Sequence, residues 1–505
     1  MRGLARIPMF VLLIGVGGLG MYLPAAHALA LRNYPVSRDF FYSGTLFVAL
    51  AALLALATAA NRPGKAQRDS LLTMLAAFTL LPLVLAVPLR EAVPGLSLYG
   101  AWWEMVSALT TTGATLLAPA EVAPSVHLWR ALVGWSGGFL MLVMAVAVLA
   151  PMRLGGFEML HLPTAEGGDG AAMPVSVRGA APNVRILHFA GKLAPVYAAL
   201  TLALWVGLLV AGDPVLVALS HAMSTLSTSG ITPLERFGQA PSGIAGEVLI
   251  VLFMVPALSR RLWPGGGELR ASERLLRDPE LRLAAALLVL VPVLLFVRHW
   301  LGALDAQLPA EPAHIALALW GGLFSVMSFL TTTGFESSGW AAAQLWSGLQ
   351  TPGLLLAGLA IVGGGVATTA GGVKLLRIYA LMRHGEREME LLVHPSSVGG
   401  GGIVARRLRR GGAHLAWVFF MLFAMSIAVV MMAVSLAGVG FEPATILTIA
   451  ALSNTGPLAA VSGLGPQTWS ALEPAAQAVL AAAMVLGRLE TLALIALLNP
   501  EFWQR

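Results

Sequence analysis

Four short stretches decide the fold: Thr110-Thr111-Thr112-Gly113-Ala114, Ser227-Thr228-Ser229-Gly230-Ile231, Thr331-Thr332-Thr333-Gly334-Phe335 and Ser453-Asn454-Thr455-Gly456-Pro457. Each closes an apolar run, 99–110, 214–228, 313–333 and 443–454, and most of these runs fall short of the roughly 20 residues a helix needs to cross a bilayer. The central glycines are 117, 104 and 122 residues apart, and every copy lies between a leading and a following full-length apolar span. That is an internal repeat of helix, half-helix, loop phrase, helix.

The rest of the chain agrees. Of 505 residues, 57% are apolar and 11% charged, and mean hydropathy is +0.80. So few charges cannot clothe a water-soluble surface, which excludes a soluble enzyme, a nucleic-acid binder or a disordered scaffold as whole-chain readings. The net charge of +6 reads as topology. Full spans are expected near 8–30, 40–60, 70–90, 128–152, 188–211, 243–262, 281–303, 350–373, 415–440 and 474–498. With a cytoplasmic N-terminus and the short runs re-entering from outside, 24 of the 31 Lys and Arg face inward. Only Arg32, Arg38, Arg90, Arg130, Arg236 and Arg298 face outward, and Arg488 is left within the membrane, which is the positive-inside pattern. The first span also ends in Ala-His-Ala and Ala-Leu-Ala, imitating a signal-peptide cleavage site; cleavage would leave the downstream topology unchanged. No cysteine is present, so disulfides and thiolate chemistry are excluded.

The expected architecture is an all-α polytopic membrane protein. Two leading transmembrane helices (1–66) precede four pseudo-symmetric helix, pore loop, helix repeats (67–160, 161–280, 281–400 and 401–505) around one pore. Two loops, 166–182 and 386–412, have soluble-like composition. The second carries Gly399 to Gly402 and the cluster Arg406, Arg407, Arg409 and Arg410, a charge pattern suited to the inner membrane face.

Non-helical backbone at membrane depth survives only where it lines a cavity, because unsatisfied carbonyls in hydrocarbon cost several kcal/mol each. Four such loops around one axis can turn their carbonyls inward and replace the hydration shell of a potassium ion, with glycine permitting the positive φ this needs. The filter candidates are Thr111, Thr112, Gly113, Thr228, Ser229, Gly230, Thr332, Thr333, Gly334, Asn454, Thr455 and Gly456. Small and hydroxylated residues also serve helix contacts, but four copies in the same context exceed that explanation.

A second unusual stretch lies in the eighth span. Gly363, Gly364, Gly365, Thr368, Thr369, Gly371 and Gly372, followed by Lys374, interrupt an apolar run, and each Gly costs about 1 kcal/mol relative to Ala inside a helix. A break is expected there, either as a kink or as a loop. Arg488 follows twelve residues without a charge. A cation at that depth faces a partner or an aqueous path, or snorkels to the interface. Glu104 and His221 lie in the first two half-helices, as buried supports of the filter or as ion contacts, and Glu336 and Glu442 are on the outer side, as ordinary solvated loop charges or as acidic charge that concentrates cations at the mouth.

The four phrases resemble the selectivity-filter sequences of the Trk, Ktr and HKT potassium transporter superfamily. Leu154-Gly155-Gly156-Phe157-Glu158, the run Gly363 to Lys374, and Gly487-Arg488-Leu489-Glu490 extend the resemblance over nearly the whole chain. The leading pair of spans and the ending Asn499-Pro500-Glu501-Phe502-Trp503 resemble the Trk-type pore subunits. The resemblance implies potassium uptake across the bacterial cytoplasmic membrane, with glycine in all four filters opposing a sodium-conducting member and Gly487 to Glu490 opposing a Kdp-type subunit. It further implies a gate made by the Gly363 to Gly372 loop and Arg488. The pore subunit would form a homodimer on a cytosolic nucleotide-binding regulatory subunit (RCK-type, TrkA-like), contacted near 153–192 and 386–410. Potassium is the transported ion, no bound organic cofactor is implied, and no enzyme activity is expected. Ser229, where the family often has Gly, and the fourth phrase Asn-Thr-Gly-Pro depart from the pattern. An intramembrane metalloprotease would need His-Glu-x-x-His, which the ten His never form.

Overall fold

The computed structural model describes residues 7–58, 66–152, 156, 182–263, 275, 278–302, 312–348, 351–394, 412–465 and 468–489, and all regular structure among them is helical. The first apolar run breaks at Met21 into α1 (Met9–Gly20) and α2 (Tyr22–Ala30), and α3 (Tyr34–Thr58) returns against both. Gly18 and Gly44 permit that packing: a Cβ on Gly18 would sit 3.0 Å from Val48 N, and one on Gly44 3.0 Å from Gly18 O. Where lipid supplies no hydrophobic drive, close backbone approach through small residues is what holds helices together.

The first repeat comprises α4 (Ala66–Thr79), α5 (Leu81–Ala92), the half-helix α6 (Leu98–Leu109) and α7 (Pro124–Met144). Pro82, lacking an N–H, accompanies the α4/α5 break. Ser97 caps α6 by accepting from Gly100 N at 3.0 Å. The second repeat has α8 (Pro182–Val210), the half-helix α9 (Val215–Ser227) and α10 (Gly243–Met254). The third has α11 (Pro279–Gly302), α12 (Pro312–Leu330), α13 (Trp340–Ser347), α14 (Pro352–Val362) and α15 (Leu375–Val393). The fourth has α16 (Gly412–Leu436), the half-helix α17 (Phe441–Leu452) and α18 (Pro474–Leu489). Half-helices pack between their flanking helices, and α18 packs back on α6, closing the ring.

Seven helical stretches among the described residues are long and apolar enough to cross a membrane: Met9–Ala30, Tyr34–Thr58, Ser70–Ala92, Pro124–Leu149, Pro182–Val210, Pro279–Arg298 and His414–Leu436. The other three expected crossings have shorter helices for local reasons. Helix α10 passes at Pro256 into a 3-10 turn, α14 stops at Gly363, and α18 is described only to Leu489. Helix α12, at 19 residues, is longer than its 12- or 13-residue counterparts α6, α9 and α17. The loop expected from Glu386 begins later, since α15 continues to Val393 with Arg383–Glu386 and Arg387–Glu390 pairs along it. The Gly399 to Gly402 and Arg406 to Arg410 cluster, Glu490 and the ending Asn499 to Trp503 lie outside the described residues.

Side-chain distribution is that of a protein solvated by lipid. Leu53, Leu56, Val289, Leu294, Met425 and Val429 are exposed on the peripheral helices, a belt that water would penalise and hydrocarbon does not. The apolar window of Pro124–Leu149 is 83% buried against 22% for that of Pro279–Arg298, because α7 is packed by α9, α6, α2 and α8 together.

Candidate functional site

The four loop phrases meet at the centre. A Cβ on Gly113 would run into Ser229 O, one on Gly230 into Thr333 O, one on Gly334 would lie 3.1 Å from Pro457 Cγ, and one on Gly456 2.7 Å from Thr112 O. Loop 1 thus touches loop 2, loop 2 touches loop 3, loop 3 touches loop 4, and loop 4 touches loop 1. All four glycines line one cavity of about 380 Å³ on the side of residues 114–121, 231–237, 335–336, 457–465 and 469–470.

The loops share one backbone design. Two residues before each glycine the chain is left-handed, at Thr111 (φ 55°), Thr228 (53°), Thr332 (58°) and Asn454 (55°), and the glycine is positive again at Gly113 (75°), Gly230 (64°) and Gly334 (80°). Alternation between left- and right-handed residues points successive carbonyls to one side, which a helix or strand cannot do. Non-glycine residues bear this strain, of order 1–3 kcal/mol each, because the surroundings hold them. The N–H of Thr112, Ser229, Thr333 and Thr455 each donates five residues back, to Ser107, Ser224, Ser328 and Ala450, at 2.8–2.9 Å. The hydroxyls of Thr110, Ser227, Thr331 and Ser453 donate to the carbonyl four residues back at 2.7–2.9 Å. They also bond the hydroxyls of Thr112, Ser229, Thr333 and Thr455 at 2.9–3.2 Å. The hydroxyls at these eight positions are therefore engaged with the backbone and with one another.

Loop 4 departs from the others. Gly456 lacks the positive φ; its requirement is close approach, and its N–H donates to Thr112 O at 2.6 Å. Asn454 Nδ2 donates to Thr112 Oγ1 at 3.0 Å and to Met484 O of α18 at 2.9 Å. Loop 4 is thereby clasped to loop 1 and to the helix carrying Arg488.

Buried polar residues brace the outer ends. Glu104, 1% exposed, accepts from Thr115 Oγ1 at 2.8 Å, from Leu116 N, and from Arg130 Nε of α7 at 3.1 Å. His221, nine residues before its glycine as Glu104 is, reaches Thr232 Oγ1 through Nε2 at 2.9 Å. Both hold the chain two residues past the glycine. The third repeat solves the same problem from a neighbouring helix, where Glu247 of α10 accepts from Trp320 Nε1 at 2.6 Å, Ser337 Oγ at 2.7 Å and Ser338 N at 2.7 Å. Sequence reasoning missed Glu247, since its partners lie 73 to 91 residues away. Glu336 sits at the cavity with Arg236, and partial burial holds its carboxyl above the usual carboxylate range while the Arg236 charge opposes the rise.

On the opposite side of the loops lies residues 363–374, where helix α14 ends and the chain runs irregularly to α15. Thr369 Oγ1 donates to Leu226 O at the end of α9 (3.2 Å), and Gly371 N donates to Thr332 Oγ1 (2.7 Å). A Cβ on Gly371 would strike Ser453 O. The segment therefore abuts loops 2, 3 and 4. Its ends are tied by Val373 N to Ile361 O (2.8 Å) and Lys374 N to Val362 O (2.9 Å), while Lys374 Nζ donates to Ala370 O and Thr368 Oγ1 to Gly365 O. Gly363 and Gly372 have positive φ, and Gly364 and Gly365 lie against the carbonyls of Ala257 and Leu258. Gly156 packs on Val366, and the rest of the Leu154 to Glu158 stretch lies outside the described residues. Arg488, 2% exposed, lies one turn beyond Met484. Arg377, expected to face the cytoplasm, is fully buried with its guanidinium 3.6 Å from the centre of the Phe419 ring.

Known proteins resemble the chain in sequence and in fold. A family model described as TrkH, cation transport protein, matches residues 262–504. The Trk system potassium uptake protein TrkH of Salmonella typhimurium is 30% identical, with 100% of this chain and 99% of that protein covered, and the TrkH of Escherichia coli K12 is 29% identical over the same shares. The crystal structure of the potassium transporter TrkH from Vibrio parahaemolyticus superposes with a TM-score of 0.78 at 27% identity, covering both chains fully. Identity of this extent over the full length places the chain in the TrkH family of cation transport proteins, as a multi-pass membrane protein.

Proposed function

We propose that the protein takes up potassium across the bacterial cytoplasmic membrane through a single pore formed by four pseudo-symmetric repeats, divided near 66/67, 160/161, 280/281 and 400/401. The observation that carries the reading is the closed ring of four left-handed loops whose glycines face one cavity. Carbonyls presented by such a ring replace the water lost by an entering cation, and the hydroxyl pairs behind them hold the ring's diameter. No chemical step is involved, and potassium is cargo. The residues at each level are Thr111, Thr112 and Gly113; Thr228, Ser229 and Gly230; Thr332, Thr333 and Gly334; and Asn454, Thr455 and Gly456.

The 363–374 segment with Arg488 is the gate. What supports this is its contact with three of the four loops on the inner side, its non-helical backbone, and a buried guanidinium on the helix clasped by Asn454. A positive charge beside the path raises the barrier to cations. The relatives are named as parts of a Trk system, and we assign this chain the same kind of assembly, as a homodimer bound to a cytosolic RCK-type subunit. Helix α15 supports that assignment, since Met389, Leu392 and Val393 are exposed on its far end.

The test is potassium and sodium flux into liposomes containing the purified protein, beside Gly113→Ser. The expected result is potassium-selective flux whose selectivity falls about tenfold or more in the variant, because a Cβ at φ 75° against Ser229 O cannot be accommodated without moving the ring. Equal flux of both ions in the parent overturns the reading. Arg488→Ala is expected to raise potassium flux; unchanged flux in folded protein removes Arg488 from the gate.

A further inference from the structure

A carboxylate from outside the gate segment reaches into it. Glu280 Oε1 accepts the N–H of Val366 at 2.7 Å, and the neighbouring Gly365 N donates to Ala257 O at 2.9 Å. Two consecutive N–H groups of the 363–374 segment are thus held by the inner ends of α11 and α10. Glu280 is 4% exposed and is preorganised by the residues before it. Asp278 caps α11, its Oδ1 accepting from Glu280 N at 3.1 Å and its backbone carbonyl from Arg282 N at 3.0 Å, with Pro279 opening the helix. Ser259 Oγ donates to Asp278 Oδ2 at 2.7 Å and Arg261 Nε stands 3.6 Å from the same oxygen. Arg260 lies within electrostatic reach of Glu280, and the α11 N-terminus favours the carboxylate. Burying a carboxylate is costly unless it is fully engaged, so a structure needing only a helix start would not place one here.

We infer that Glu280 is a latch: a positioning residue whose side-chain oxygen, by accepting the Val366 N–H, keeps the 363–374 segment seated beneath the four loops and so keeps the pore closed. This rests on the gate reading above. When the Val366 bond opens, the segment is released from the α10 and α11 ends together, because residues 365 and 366 are adjacent, and can move off Thr332 and Leu226.

The latch needs reach, whereas an ion pair with Arg260 needs charge, and conservative variants separate the two. Glu280→Asp keeps the carboxyl but withdraws the oxygen by one methylene; Glu280→Gln keeps the reach and can carry no charge. In liposomes containing the full chain without a regulatory subunit, Glu280→Asp and Glu280→Ala are expected to raise basal potassium flux about tenfold, the equilibrium value of one hydrogen bond at the upper end of the ordinary range, with the potassium to sodium ratio unchanged. Glu280→Gln is expected to restore closure. Because the chain has no cysteine, Thr368→Cys reports the segment directly, and thiol labelling is expected to speed up in the Asp background and slow again in the Gln background. Should the Ala variant fail to fold, the Asp and Gln pair decides. Parent-like flux and labelling in Glu280→Asp, or greater leak in Gln than in Asp, overturns the latch. If Arg488→Ala opens the pore while Glu280→Asp does not, the gate stands and the latch falls; if neither changes flux, the gate reading fails with it.

Discussion

At the scale of single residues, the site is braced by buried polar groups, Glu104 foremost. Glu104 ties the first half-helix, the chain beyond Gly113 and Arg130 of α7 into one unit. Removing its carboxylate strands a buried guanidinium, 3% exposed, and breaking such a pair costs about 3–5 kcal/mol. Glu104→Ala is therefore expected to lower thermal stability in detergent markedly, while Glu104→Gln, which still accepts from Thr115 and Leu116, loses less; equal melting of both variants would leave the bracing role unsupported. Glu104 and His221 were legible in the sequence as polar residues inside apolar half-helices, nine residues ahead of their glycines. Glu247 and Glu280 were not, because nothing local distinguishes them and the groups they answer are 91 and 86 residues away. The hydroxyls told a similar story: Thr and Ser beside the glycines were visible, but their pairing behind the backbone is a product of the left-handed residue between them.

At the scale of elements, composition announced the break in the eighth span, and the helix does stop at Gly363. What composition could not announce is where the freed backbone finds its partners, which come from α9, α10, α11 and loop 3. Gly371 is the position where this matters most. Its N–H bonds Thr332, and its missing Cβ leaves room for Ser453 O. Gly371→Ala forces the segment away from loop 4, and inserting a methyl against backbone costs about 1–3 kcal/mol. We expect roughly a 5- to 150-fold shift toward the open pore at unchanged selectivity, read as raised basal flux; a variant with parent flux would show that the segment does not need this seat to close. The periodicity of α15 was misread as loop from Glu386 because its charges suggested solvent, whereas Arg383, Glu386, Arg387 and Glu390 pair along one helical face at i, i+3 spacing.

At the scale of the whole molecule, four loops that each touch the next border one cavity lined by all four glycines. Glu121, Glu235 and Glu336 line it together with Arg130 and Arg236, so the sign of the local potential depends on how many carboxylates are ionised. Glu336 is the one whose charge is poised to change. Partial burial favours its neutral form, so its carboxyl titrates above the ordinary value near 4.5, the nearby Arg236 charge working against this. As pH falls through that raised value the mouth loses a negative charge, and as pH rises it regains it. Cation concentration at the mouth follows the same direction. At subsaturating potassium, uptake is therefore expected to rise with pH through the Glu336 titration and to lose that step in Glu336→Gln, while flux at saturating potassium depends on pH much less. The carboxyl's own linkage runs the other way: a group that binds its proton more tightly when folded contributes stability below the raised value and loses it above. Melting temperature should then decline slightly over the same pH interval in which uptake increases, and only in protein that retains Glu336. If both curves keep their steps in Glu336→Gln, the titrating group at the mouth is another residue.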